Sequence, residues 1–490
     1  MPVSVRIPRT PVARAVTAAL LATAALAPLA AQAPRADERF VGVWRADMGL
    51  GAMTVRLAIE IARDTAGVLG GRLHAIDVPG QSSPLRLEIR GDSLFAIVVG
   101  SPREIAIRGA LRRDTLQAVW RQSRDDGGPQ ELLLPFTRGA LEVARRPQRP
   151  VPPFPYTTRE LAVATGDTGA GRAATVPATL VVPAGSGPFP VLVLDAGLLS
   201  PTWTLVGHPI LEVLADQLAR AGVATLRTSF ATDSARRAAA ASPRGTRPVV
   251  APALVRWLAT EAPREIARDR IGVLGHGTDG VQAADVAKAR PAVAYLVLLA
   301  VPALRGDAAF ALQMDGVLGD LPVPPEAGAM LQLPKTAMRL VATSRDSTEA
   351  LQRVDSLVRA LTDTMEAATD ETVAMLRRSL RQYALPPMAD MLRADPGAKL
   401  RGVTVPVLAL AGAADREAPP AAHQPALKAL LADGGAERIE AAVLPGLNHL
   451  FQTARTGAVF EYGRLEETFS PLALQMIVDF IRRAPPARRR

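Results

Sequence analysis

The 490-residue chain predicts an α/β protein: a doubly wound, mostly parallel sheet with a helical cap inserted into it, preceded by a small all-β domain. Three observations carry that expectation. From about residue 156, apolar runs of strand length alternate with segments of helical period, the pattern of a parallel sheet wrapped by helices. Between about 38 and 140 the period is two instead. Between them lies Arg145 to Pro155, where five of eleven residues are proline.

At the start, Arg6, Arg9 and Arg14 precede an apolar run from Ala15 to Leu29, and Ala31-Gln32-Ala33 supplies small residues at a cleavage spacing. Residues 1–33 read as a signal peptide, so the protein is expected to be exported, periplasmic or secreted. The run is too short, and interrupted by Pro28, to be a membrane span, and no stable membrane insertion is expected.

Residues 38–144 form the expected β-domain. Met53, Val55, Leu57, Ile59 and Ile61 alternate with Thr54, Arg56, Ala58 and Glu60. Further alternating runs turn at Gly91-Asp92 and Arg113-Asp114, which predicts an antiparallel meander closing into a barrel or sandwich with Trp44 and Trp120 inside. Residues 145–155 predict an extended, semi-rigid linker. The α/β domain is expected over 156–485. Its strands run Leu161–Thr165, Ala178–Val182, Val191–Leu194, Val223–Leu226, Ile271–Leu274, Val293–Ala300, Val405–Leu410 and Ile439–Leu444. The stretch 301–402 breaks the alternation with helical hairpins, such as Leu351, Val354, Leu357, Val358 and Leu361 on one face. An insertion this long reads as a cap over the sheet edge where α/β proteins bind ligands.

Composition removes several functions. The formal charge is +10, but eight arginines near the two ends carry most of it, and the chain has only four lysines. No stripe of cations with base-reading groups exists, so no nucleic acid is expected. There is no cysteine, and none of the five histidines (His74, His208, His276, His423, His449) is spaced for a helical metal pair. No metal and no cofactor are expected.

The candidate chemistry begins at Asp269–Gly280. An apolar strand ends in Gly275-His276-Gly277-Thr278-Asp279-Gly280, and a helical pattern follows. Strand, sharp turn and helix is the setting of the G-x-S-x-G nucleophile elbow, in which the partners follow in the order nucleophile, acid, histidine. Gly277 stands where the serine belongs. Asp279 stands where the last glycine belongs, which predicts hindered packing of helix on strand. Asp415 follows the strand ending at Leu410, and His449 follows the strand ending at Leu444. Their order and spacing allow Asp415 to accept from the His449 ring and hold its tautomer. Oxyanion-hole candidates are Thr278 at the elbow and Ala196 and Gly197 after Leu194, with Asp195 an unfavourable neighbour for developing negative charge. Thr278 is also the alternative nucleophile, Ser200 and Ser229 being more distant ones, and His276 reads as packing behind the elbow.

Residues 156–485, about two-thirds of the chain, resemble the α/β hydrolases related to carboxylesterase EstD and the serine aminopeptidase-like esterases. The strings that carry the resemblance are Gly185–Val193, Arg270–Gly280, Val405–Gly412 and Leu444–Gln452, with Glu461-Tyr462-Gly463 beyond. The resemblance implies the α/β-hydrolase fold and a carboxylic-ester hydrolase with Asp415 and His449 as charge-transfer partners. With glycine at 277 the expectation is an esterase-descended protein whose hydrolysis is absent or strongly reduced. It would bind a small acyl, ester or peptide-like ligand under the cap. The alternatives are an active acyl hydrolase using Thr278, or a ligand- or protein-binding module whose β-domain meets a partner that the residues do not specify.

Overall fold

The computed structural model describes residues 36–487, apart from 51–52, 77–81, 102–103, 124–128, 143, 168–172, 195–206, 229–249, 320–324, 366–368 and 387. Residues 1–33, where a signal peptide is expected, and the stretch holding Asp195, Ala196, Gly197 and Ser200 lie outside the described residues, as does Ser229. The strands form two separate sheets, a closed N-terminal barrel and an eight-stranded sheet further along the chain.

The barrel is closed and its strands follow chain order: β1 (Gly42–Leu50), β2 (Met53–Arg63), β3 (Leu69–Ala75), β4 (Ser82–Arg90), β5 (Ser93–Val98), β6 (Ile105–Arg112), β7 (Thr115–Ser123) and β8 (Pro129–Gly139). Closure comes from β1 pairing antiparallel with β8, Trp44 opposite Arg138. Alternation sets the faces: Leu94, Ala96 and Val98 point inward from β5 while Phe95 and Ile97 point out. Trp44 and Trp120 are both buried, as the alternation predicts. Trp44 Nε1–H donates to the Phe40 carbonyl at 2.8 Å, and the Arg138 guanidinium stacks 4.3 Å over the indole.

The α/β unit is a mixed eight-stranded sheet with helices on both faces. Its elements run β9 (Tyr156–Asp167), β10 (Ala173–Pro183), β11 (Phe189–Leu194), α1 (Ile210–Arg220), β12 (Ala224–Thr228), α2 (Ala251–Thr260), β13 (Ile266–His276), α3 (Gly280–Ala289) and β14 (Val293–Leu299). Then come the insertion helices α4 (Gly306–Leu318), α5 (Pro325–Ala342), α6 (Ser347–Thr362), α7 (Asp370–Arg381), α8 (Met388–Arg393) and α9 (Pro396–Leu400). The sheet resumes with β15 (Val407–Gly412), α10 (Pro420–Asp433), β16 (Ile439–Leu444) and α11 (Pro471–Arg483).

Strand order across the sheet is β16-β15-β14-β13-β11-β12-β10-β9. β9 and β10 are antiparallel, and β11 to β16 are parallel. β11 lies between β12 and β13, so the order reverses there. A reversal opens a crevice outside the carboxyl ends of the strands, the usual ligand position in such sheets. One core packs α2, α3 and α10 on one face, through Leu254, Val281 and Leu427; the other packs α1 and α11, through Leu214, Leu218 and Ile477. Gly272 is fixed by sterics: the Tyr295 ring crosses its Cα so closely that a Cβ would sit 1.9 Å from Cε2, while Tyr295 OH donates to Val191 O at 3.0 Å.

The insertion has its own core of Met338, Val341, Val354, Val358, Leu376 and Leu380. Its helices start where capping chemistry predicts. Asp346 Oδ1 accepts from Glu349 N–H at 2.8 Å, and Thr369 Oγ1 from Thr372 N–H at 3.2 Å. The proline-rich stretch is bonded to the C-terminal part of the chain through its first polar residues. Arg146 donates to Gly463 O and Leu465 O, both at 2.9 Å, and Gln148 Oε1 accepts from Thr468 N–H and Phe469 N–H. Proline spacing reports stiffness, not whether the polar residues between prolines find carbonyls to bind.

Candidate active site

β13 is buried from Ile271 to His276, and the chain leaves it through Gly277 at φ +58°, the left-handed region that glycine enters without steric cost. A short 3₁₀ turn, Gly277–Asp279, leads into α3. A Cβ on Gly277 would lie 3.5 Å from His449 Nε2 and 3.8 Å from its Cε1. Position 277 is therefore the place on the elbow that faces the imidazole. Thr278 is exposed, and its hydroxyl makes no hydrogen bond to that ring.

The close approach of helix to strand falls one residue beyond the position that the motif counts. The close crossing is between Gly275 and Gly280: a Cβ on Gly275 would meet Gly280 Cα at 2.6 Å, and one on Gly280 would meet Val301 Cγ2 at 2.5 Å. The 3₁₀ turn carries the chain one residue further before the helix touches the strand. Gly280 takes the role assigned from the motif to position 279.

Strand ends bring the other two residues to the same edge. β15 and β16 stay in register to Gly412 opposite Leu444, and a Cβ on Gly412 would strike Leu447 O at 2.2 Å, so the acid and histidine loops lie directly against each other. Asp415 Oδ1 accepts from Glu417 N–H at 2.9 Å and Ala418 N–H at 2.8 Å. Oδ2 accepts from His449 Nδ1 at 2.9 Å, with the Asp415 side chain fully buried and that of His449 11% exposed. A ring that donates from Nδ1 carries its lone pair on Nε2, the atom nearest position 277.

The loop is supported from behind. His276 Nε2–H donates to the His449 carbonyl at 3.0 Å, and the two rings meet edge to face at 4.7 Å. Burial, and next the neighbouring His449, hold the His276 pKa down to about 3, so it is a neutral donor. Asn448 Oδ1 accepts from Leu450 N–H and Gln452 N–H at 3.0 and 2.9 Å, closing the turn that presents His449.

Several supporting residues carry no motif signal of their own. Glu417 accepts from Tyr462 OH at 3.1 Å and from Gln313 Nε2–H at 3.2 Å. Since Gln313 lies on α4 and a Cβ on Gly316 would strike Arg416 O at 2.2 Å, that helix of the insertion rests on the acid loop. Tyr462 is visible in the sequence as part of Glu461-Tyr462-Gly463; Glu417 is not, because nothing in its neighbourhood marks it as facing a helix a hundred residues upstream. His423, on α10, accepts from Ala303 N–H through Nδ1 at 3.1 Å, which leaves a buried Nε2 without a hydrogen bond.

Among the described residues no three His, Asp or Glu side chains gather as a metal site. Nor is any described helix long and apolar enough to cross a membrane.

No protein-family model matches the chain, and no curated protein does. Solved structures give likenesses at low identity. An esterase of the archaeon Pyrobaculum calidifontis is 16% identical over 66% of this chain and 85% of its own, with a TM-score of 0.35. Carboxyl esterase 2 of the fungus Tuber melanosporum is 15% identical over 69% and 93%, with a TM-score of 0.36. The Pyrococcus furiosus esterase Pf2001 is 11% identical over 67% and 91%, with a TM-score of 0.35. At scores this low the likeness decides nothing about the site, whose chemistry rests on this chain's own geometry.

Proposed function

We propose that this is an exported α/β-hydrolase-fold protein of carboxylic-ester hydrolase descent. It binds a small acyl, ester or peptide-like ligand beneath the 301–402 insertion, with acyl-enzyme hydrolysis absent or strongly reduced. The observation that carries the reading is the left-handed Gly277 held 3.5 Å, by its Cβ direction, from the Nε2 of a histidine bonded to a buried aspartate. An elbow, an acid and a base arranged for a nucleophile, with hydrogen in its place, are hard to explain by packing alone. A core would have no need to bury an Asp–His pair at a strand edge.

The test is labelling with a fluorophosphonate, which requires an activated hydroxyl. The unmodified protein should remain unlabelled, and Gly277→Ser should become labelled in a manner abolished by adding His449→Ala. Labelling of the unmodified protein that disappears in Thr278→Ala would overturn the reading. Export rests on residues 1–33. N-terminal sequencing of protein recovered from its native compartment should begin between Gln32 and Arg35, and an intact Met1 would refute it.

A further inference from the structure

We propose that one rim of the N-terminal barrel is a binding site for a small hydroxylated anion, such as a sugar phosphate or a uronic acid. This goes beyond the esterase-descended reading and does not depend on it.

Strand order brings the charges together. The strands of the closed barrel alternate in direction, so the β4–β5 turn at Gly91-Asp92, the β6–β7 turn at Arg113-Asp114, the end of β8 and the start of β1 share one rim. Leu111 N–H donates to Asp92 O at 2.7 Å and ties the two turns to each other. A cleft of about 420 Å³ opens there, with Arg39, Arg112, Arg113 and Arg138 in its lining and the buried Leu111 as its apolar part. Barrel mouths are a usual place for small-molecule sites.

The lining has four guanidinium groups and two carboxylates, Asp92 and Asp114, an excess of two positive charges. Arg39 is bonded to Asp92 and to Gly91 O. Arg138 is fixed in place: Nη1 donates to Val41 O at 3.0 Å, Nη2 to Arg39 O, and its guanidinium carbon lies 4.3 Å from the centre of the Trp44 ring. Among the described residues, the side chains of Arg112, Arg113 and Asp114 have no hydrogen bond or ion pair. The nearby Asp37 and Glu38 are taken up by Arg63. Two guanidinium forks are thus left for a ligand.

The turns add an independent sign. Gly91 at φ +59° and Arg113 at φ +54° hold the same position, the first of a two-residue hairpin turn. Glycine enters that left-handed region without cost and is the residue such turns call for; arginine is strained in it. An arginine kept where its neighbouring turn has glycine points to a use for its side chain.

The donor set names the ligand class. Guanidinium forks match the paired oxygens of phosphate and carboxylate, and a cleft of one sign concentrates ligands of the other. Asp114, ionised, only accepts, so it suits a hydroxyl donor and repels a bare anion. A small frame carrying one oxyanion and several hydroxyls satisfies both.

The test is isothermal titration calorimetry of the full chain, at about 50 mM NaCl, with glucose 6-phosphate, glucuronate, inorganic phosphate and glucose. Glucose 6-phosphate or glucuronate should bind about tenfold tighter than inorganic phosphate, and glucose should not bind. The tighter of the two sugar acids identifies the group held as phosphate or carboxylate. Affinity should fall about fivefold at 200 mM NaCl, since the cleft is exposed, and about tenfold in Arg112→Ala and in Arg113→Gly. Arg113→Gly relieves the left-handed backbone, so its melting temperature should rise while its binding falls, and its loss cannot be ascribed to unfolding. Asp114→Ala should tighten inorganic phosphate and weaken the sugar acid. Arg108→Ala, which removes an exposed arginine of β6 outside the cleft, should bind as the unmodified protein does. Four results would each overturn the inference: neither heat nor a shift in melting temperature with any of the three anions at about 10 mM; binding unchanged in both Arg112→Ala and Arg113→Gly; an equal loss in Arg108→Ala; or inorganic phosphate bound as tightly as the sugar acids.

Discussion

Position 277 shows how one side chain separates folding from chemistry. An L-residue at φ +58° costs about 1–2 kcal/mol in the left-handed region. Gly277→Ser should therefore lower unfolding free energy by roughly that amount while placing an oxygen within reach of His449 Nε2. The two effects are opposite in sign, for stability and for reactivity, and both are measurable on one sample, by urea unfolding and by hydrolysis of p-nitrophenyl acetate with burst kinetics. Asp279→Gly is not needed for the gain, since Gly280 makes the close crossing. If the single mutant is inert and the double mutant active, the elbow packs as the motif implies and not as the structure has it.

At the scale of elements, the crossing of α3 over β13 is set by two glycines five residues apart. Gly275→Ala would bring a methyl to 2.6 Å from Gly280 Cα and 2.9 Å from Ala283 Cβ, and neither is the flexible end of a side chain. Overpacking of this kind costs about 1–3 kcal/mol, and a urea midpoint unmoved in Gly275→Ala would refute the crossing. The same crossing marks what a sequence can and cannot disclose. Asp415 and His449 are legible because strand order constrains them: each follows a recognisable strand, and the separation fits one helix and one strand. The barrel strands are legible from alternation, as at Leu94, Ala96 and Val98. Gly280 is not, because a motif counts residues while the 3₁₀ turn changes how many residues the corner consumes. Gln313 and Glu417 are not, because periodicity shows which face of α4 is apolar but not which loop its polar face will meet. The linker's fixed Arg146 and Gln148 fail for the same reason: their partners are backbone carbonyls and amides, which every sequence has.

For the α/β unit as a whole, three buried histidines couple folding to pH. His208 is held down to about 4, first by burial and then by the charge of Arg146; His276 is held down to about 3 by burial and then His449; His423 is lowered by burial against an opposing pull from Asp415. The sign follows from proton counting. Above pH 6.5 these histidines are neutral in both states and contribute no pH dependence. Between 6.5 and about 4 the unfolded chain binds protons that the folded chain refuses, so stability falls as pH falls. Going from pH 7 to pH 5 should remove about 2 kcal/mol for each of His208 and His276, an amount large beside the net stability of a domain. Carboxylates contribute lower down: Asp355, pulled below its usual 3.8 by its hydrogen bond to Arg381, adds its loss only under that value. The window between pH 6.5 and 5 therefore reports histidines. Urea unfolding at pH 7, 6 and 5, followed by far-ultraviolet circular dichroism of the helices, should show the loss, and His276→Gln should reduce the pH slope by about one proton while lowering stability at pH 7. A slope unchanged in that variant would mean that His276 titrates normally in the folded protein, and that its ring is not the neutral donor holding the His449 carbonyl.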